Sequence, residues 1–439
     1  MPLTLNTKIQ TEYQQTLADF IAQKGISSTG DGVDSTLNFL KNFIKEKLNS
    51  KPEIIETTLN PIIYSLIEGQ SNTTVLFYGH YDVMSADDTT LWQSEPFTLT
   101  TKDNRFYGRG CGDNKGQLMA QLLGIAAYYQ EHGTLPFNIL LFIEGQEEQG
   151  SRDLATVVKR YKDSLLKDVD FALVIDGSIN ASGQNVVRLG NRGILAFELS
   201  VSVADSDLHS GNFGNIAPNA GIKLLGYLNR LYDFESQKTK LADFYNDVTL
   251  PSPQEISWIK QLPLPAGITE TPLAYYQKLM FQPTFNLNGL HSGHTATGIK
   301  TIIPKNAFAR FDCRLVFKQD IAKIKASLAK LFAPELDSGD LQLKYLVEVP
   351  PSKTSSKSPY IAKLTQAVID ATGTCLIEPI MPGTVPNYVW TDILGVDTFT
   401  LPLANFDQNN HAANENITQT AFFNGIKIVY QLLENQTFA

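Results

Sequence analysis

"LFYGHYDV", residues 76–83, is an apolar run that ends on His80 and, two positions later, Asp82. Residues i and i+2 of an extended segment point the same way, so a stretch suited to burial finishes by presenting an imidazole beside a carboxylate. Similar short runs lie downstream: "FNILLFIEG" (137–145) and "DFALVIDG" (170–177), separated by the amphipathic helical patterns "GQLMAQLLGIAAYYQEHG" (116–133) and "LATVVKRYKDSLL" (154–166). This alternation predicts an α/β domain built on a mainly parallel sheet. Upstream, Tyr13, Leu17, Phe20 and Ile21 fall on one helical face that closes at Gly25, and Leu37, Leu40, Phe43 and Leu48 repeat the pattern.

The texture changes near Val186. "VVRLGNRGILAFELSVSVAD" (186–205) has strand alternation and is followed by a helix, "NAGIKLLGYLNRLYDF" (219–234), and a Pro-rich loop through "LPSPQEISWIKQLPLPAG" (250–267). Strands in "KNAFARFDCRLVF" and "LQLKYLVEV" flank the helix "DIAKIKASLAKLF", which together read as an inserted α+β domain. The linker-like "PPSKTSSKSP" (350–359) then returns the chain to a helix, the strand "VDTFTLPLA" (396–404) and a closing helix. A chain of 439 residues exceeds the size at which one core usually splits. The expected division is residues 1–188 and 353–439 for the α/β domain and 189–352 for the insertion.

Formal net charge is −9, which disfavours a nucleic-acid partner or an anionic membrane surface. The first residues carry no leader pattern, and no apolar run is long enough to span a bilayer. Cys111, Cys313 and Cys375 are odd in number and far apart, unlike a disulfide framework or a zinc ribbon. The expectation is a cytoplasmic protein.

Each strand of the α/β part runs into a polar residue of the same few types. His80 and Asp82 follow the first, Glu147 and Glu148 the second, Asp176 the third, and His411 lies in the loop after "VDTFTLPLA"; Asp113 sits in the glycine-rich "GRGCGDNKG" before a helix. Taken singly, each has an ordinary explanation: Asp113 a helix cap, Asp176–Gly177 a turn, Glu147 and Glu148 solvated charges, His411 a loop histidine. Parallel strands, however, share one carboxyl edge, where open α/β folds bind ligands. Carboxylates gathered there repel one another unless cations intervene. Imidazole nitrogen and carboxylate oxygen suit Zn²⁺, and the excess of carboxylates suits two ions sharing a bridging carboxylate. His80 is then a ligand, with Asp82 orienting its ring from behind.

"GHYDV", "YGRGCGDNKGQ", "EGQEEQGS", "DLHSG", "IIPKNAFARFDCRL" and "HAANENI", spread over residues 79–417, together resemble the dinuclear zinc hydrolases that include acetylornithine deacetylase, succinyl-diaminopimelate desuccinylase, carnosine dipeptidase and glutamate carboxypeptidase. The resemblance implies a zinc-aminopeptidase-like catalytic domain with an inserted lid and dimerisation domain. It implies two divalent ions, Zn²⁺ first, with Mn²⁺ or Co²⁺ accepted by the same donors. Asp113 would bridge them, His80 and Asp176 completing one site and Glu148 and His411 the other. Glu147 would be the general base that deprotonates a metal-bridging water, and Asp82 the partner behind His80. His209, in "DLHSG", would reach the active site of a second copy in a homodimer, and Arg314 would grip a substrate carboxylate.

Gly383 and Thr384 in "IMPGTVPNYVW" (380–390) would hold that carboxylate with Arg314, but Met381 and Pro382 offer no charge for a substrate ammonium, and Glu378 is the nearest acidic residue in sequence. The expected activity is hydrolysis of an amide next to a free carboxylate in a small peptide. Deacylation of an N-acyl amino acid is the alternative, and a metal-binding interaction protein without turnover is the non-enzymatic one. "GHTATGIKT" (293–301) departs from a phosphate-binding loop at Ile299, and His291, His294 and His132 are read as surface or helix-end residues. No HExxH or GxSxG pattern is present.

Overall fold

The computed structural model describes residues 3–436 and 438. Its larger sheet has eight strands, in the order Glu53–Ile55, Ile62–Ile67, Asn138–Glu144, Thr74–His80, Phe171–Val174, Asp397–Thr400, Val186–Arg188 and Leu376–Glu378. The middle four are mutually parallel. Antiparallel pairings join them to the flanks, where Ile62–Ile67 meets Asn138–Glu144 and Thr400 meets Arg188. Every residue of Thr74–His80 is buried, because helices cover both faces of the sheet. Such a strand reads as a continuous apolar run rather than an alternating one.

The helix Lys115–His132 departs from the expected amphipathic pattern. Lys115 to Ala126 are all buried, since the helix lies between the sheet and the closing helix Gln419–Glu434. Gly124 permits that contact: a Cβ there would stand 2.7 Å from Cβ of Val429 and 2.8 Å from the Ile426 carbonyl oxygen.

A second, antiparallel sheet orders Asn286–Ser292, Asn306–Leu315, Gly193–Ser202 and Gln342–Val349. Alternation is clean here: Ala307, Ala309, Phe311, Cys313 and Leu315 turn inward against the helices Ala220–Leu231 and Ile321–Leu331. This core is separate from that of the larger sheet. The stretch expected to be a Pro-rich loop contains the helix Pro253–Ile259, started by a capping box between Ser252 and Glu255 with proline in its first turn. A further helix, Pro272–Phe281, also has proline in its first turn and is capped by Thr271, whose hydroxyl accepts from Ala274 N–H. Among the described residues no helix is long and apolar enough to cross a membrane.

Candidate metal centre

His80 ends its strand fully buried, and two acceptors face its Nδ1: the Asp82 carbonyl at 3.0 Å and Asp82 Oδ1 at 3.3 Å. Nδ1 therefore donates toward Asp82, and Nε2 faces the other way, toward Asp113 Oδ1 at 3.1 Å. Asp82 does more than orient the ring. Its carboxylate accepts from Ser27 Oγ at 2.6 Å and from the backbone N–H groups of Glu147 and Glu148 at 3.3 and 3.1 Å. One buried aspartate thus ties the end of Thr74–His80 to the turn that follows Asn138–Glu144.

Asp113 presents its second oxygen to the opposite side, 3.3 Å from His411 Nε2, which is itself 2.9 Å from Glu148 Oε2. Asp176 Oδ2 lies 3.9 Å and Glu147 Oε2 4.0 Å from His80 Nε2. The five expected ligands fall into two triads sharing Asp113: His80, Asp113 and Asp176, and Asp113, Glu148 and His411; within each, the ligating atoms lie within 4.8 Å of one another. Donors held about 2.0–2.1 Å from a tetrahedral ion stand roughly 3.3 Å apart, within the 2.9–3.9 Å spread of these donor pairs. The residues fit a pair of divalent cations.

The electrostatics point the same way. Burial and the neighbouring Asp113 carboxylate push the Asp176 carboxyl up to about 6. Glu147 is raised well above the ordinary range by burial and by Asp176, Asp113 and Glu148, with His80 opposing. Burial opposes charge on His80, but its hydrogen bonds to Asp113 and Asp82 outweigh it and raise the imidazole. Bonds to Asp113 and Glu148 push His411 up to about 10. Without metal the cluster retains protons; cations replace them.

Two supporting residues escaped the sequence reading. Glu415, fully buried, accepts from the N–H groups of Gly110, Gly112 and Asp113 at 2.8–3.0 Å and from Arg109 Nη1 at 2.7 Å. It thereby fastens the Asp113 loop to the segment that carries His411. Asn114 donates to Asp176 Oδ1 at 3.0 Å and to the Ile175 carbonyl at 2.9 Å, linking the loop to Phe171–Val174. Both read in sequence as polar loop residues; a Glu four positions after His411 and an Asn next to Asp113 were the available signals.

Arg314 Nη1 donates to Thr384 Oγ1 at 2.7 Å, joining the smaller sheet to the loop that contains Gly383. Arg192, also not singled out, is buried, and burial together with the charge of Arg314 lowers its guanidinium to about 10. It holds the same loop through the carbonyls of Pro382 at 2.8 Å and Met381 at 3.1 Å. Glu378 is not free for an ammonium group: Arg188 Nε lies 2.7 Å and Asn180 Nδ2 3.2 Å from its carboxylate. His209 is not brought to the cluster. It is exposed on the smaller domain, its Nδ1 accepting from Gly211 N–H, which leaves Nε2 to donate to Thr301 at 3.4 Å. A cleft of about 530 Å³ adjoins the site, rimmed by Ser178, Pro382 and Phe406. A larger cavity, about 740 Å³, lies at the amino ends of the strands around Thr74, Asn138 and Asp170, away from this chemistry.

Human Beta-Ala-His dipeptidase is 27% identical over 390 residues, covering 84% of this chain and 75% of the relative. The Cys-Gly metallodipeptidase DUG1 of Saccharomyces cerevisiae is 27% identical over 413 residues, covering 88% and 85%. The crystal structure of an M20 family metallo-carboxypeptidase from Sulfolobus solfataricus superposes with a TM-score of 0.87 at 29% identity, covering 98% of this chain and 100% of that one. Human carnosine dipeptidase 1 shares the fold, with a TM-score of 0.75 at 23% identity and coverage of 98% and 97%. The family model Peptidase family M20/M25/M40 matches residues 76–435, a span that takes in all of the paired triads, so the chain belongs to that family and is a metal-dependent hydrolase of peptide bonds.

Proposed function

We propose that the chain is a dinuclear enzyme that cleaves the amide bond next to the free carboxylate of a small peptide, as a dipeptidase or carboxypeptidase. The observation that carries this reading is Asp113, whose two oxygens face different histidines. Two divalent ions held there, Zn²⁺ by the chemistry of the donors with Mn²⁺ or Co²⁺ as alternatives, would lend Lewis acidity to the scissile carbonyl and to the attacking water. Glu147, whose side chain is partly exposed, takes the water's proton as oxygen attacks the amide carbon and passes it to the nitrogen as the C–N bond breaks. Arg314 and Thr384, with Gly383 beside them, grip the carboxylate, and Asp82 fixes the ring of His80.

The engagement of Glu378 favours a second reading, deacylation of N-acyl amino acids, because it leaves no carboxylate there for a substrate ammonium. The smaller domain, residues 189–352, would act as lid and dimerisation domain. Exposed Ile222 and Leu225 on its helix and Leu287 and Leu290 on its edge strand support a homodimer in which His209 serves the neighbouring site. The free cysteines Cys111, Cys313 and Cys375 suit a reducing cytoplasm. The test is metal analysis after controlled loading, followed by a screen of dipeptides, longer peptides and N-acyl amino acids. Two bound ions with release of the C-terminal residue are expected; two ions with no hydrolysis of any amide would leave only a metal-binding role.

A further inference from the structure

We infer that the cleft between residues 178–182 and the helix Pro272–Phe281 is the subsite for a bulky, uncharged, apolar side chain on the amino side of the scissile bond, an inference that rests on the function proposed above. Its position is the first argument. The cleft begins at Ser178, two residues beyond the cluster residue Asp176, and Phe406 on its rim lies five residues before His411. Pro382, also on the rim, belongs to the loop that carries Thr384. Ser178–Ser182 contribute five lining residues and the carboxylate-gripping loop only one. The cleft is thus built mainly from the segment that continues from Asp176, which assigns its occupant to the acyl residue.

The lining sets the chemistry. Ile179, Pro263, Leu264, Tyr275, Leu279 and Met280 supply apolar walls. Tyr276 adds its ring, its hydroxyl being bonded to the Pro263 carbonyl. The floor is charged but self-neutralising. Arg188 spends Nε on Glu378 at 2.7 Å and Nη2 on the Ser178 carbonyl at 2.8 Å, and Asn180 donates to the other Glu378 oxygen at 3.2 Å. Glu378 is the only carboxylate among the lining residues. An ammonium or a carboxylate entering this space would meet largely apolar walls and a floor whose Arg188–Glu378 pair is already engaged, whereas an apolar side chain gains burial. The volume, about 530 Å³, lies in the range of small-molecule sites and is left largely empty by glycine or alanine.

The experiment measures kcat/KM of the metal-loaded enzyme on acetylated dipeptides that share one C-terminal residue and carry Gly, Ala, Leu, Phe, Lys or Glu before the scissile bond. Leu and Phe are expected to exceed Gly by roughly 10–100-fold, with Lys and Glu no better than Gly. Two variants test the location: Leu279→Gln, which makes the wall polar, and Ala181→Trp, which fills the cleft from an exposed rim position. Each is expected to compress the Phe-to-Gly ratio to within about threefold. The ratio is internal to each protein, so a loss of folded enzyme does not imitate it. An active enzyme with a flat series, a charged residue preferred over Phe, or a ratio unmoved in both variants would overturn the subsite. No hydrolysis of this series or of the corresponding free dipeptides would instead overturn the proposed function itself.

Discussion

At the scale of single residues, the proposed mechanism separates a proton carrier from ligands. Glu147→Gln is expected to keep both ions while turnover falls about a hundred- to ten-thousandfold, checked by metal analysis beside initial rates. Asp82→Ala removes the carboxylate, one of the two acceptors behind His80 Nδ1, and with it the anchor of the Glu147–Glu148 turn. Metal affinity should drop about 10–100-fold, read by equilibrium dialysis. Glu415→Ala strands buried Arg109 and three N–H donors and should cost about 3–5 kcal/mol in urea unfolding. Trp92, against which Arg109 stacks at 5.1 Å, offers a local fluorescence signal for the same loss. The ligand candidates were legible as recurrent residue types after successive strands, each ambiguous alone. Glu415 and Asn114 were not, because a carboxylate or amide in a loop reads as solvated until burial and partners are known.

At the scale of elements, apolar run length and parallel pairing made the central strands readable, since residues buried on both faces need no alternation. Helices were harder where they depart from amphipathicity. Lys115–His132 is buried nearly all round, so its pattern gave its existence but not its place between sheet and closing helix. Gly124→Ala tests that place. Alanine gains about 1 kcal/mol of helix propensity, but forcing Cβ against Val429 costs about 1–3 kcal/mol, so a net loss is expected in urea unfolding. The helix Pro253–Ile259 was hidden by its prolines, although Ser252-Pro253-Gln254-Glu255 carries both start signals. Ser252→Ala should cost about 1 kcal/mol, read in the same way.

At the scale of the whole molecule, the division into two sheets was visible as a change from apolar runs to alternation near Val186, while the contact of Arg314 with Thr384 was not, because nothing local marks residues 70 positions apart as neighbours. If His209 acts across a dimer, His209→Ala and Glu147→Gln chains, each poorly active alone, should regain about a quarter of wild-type activity after mixed refolding, because half the dimers are mixed and each of these has one intact site. Strict additivity of the two residual rates would count against shared sites. The stitch made by Glu415 has a temporal consequence. It joins the Asp113 backbone to a residue 302 positions later, so a nascent chain carries Asp113 long before it carries either His411 or the carboxylate that holds the loop in shape. Hydrolytic competence therefore waits until the segment carrying His411 and Glu415 has been made and has docked on the Asp113 loop.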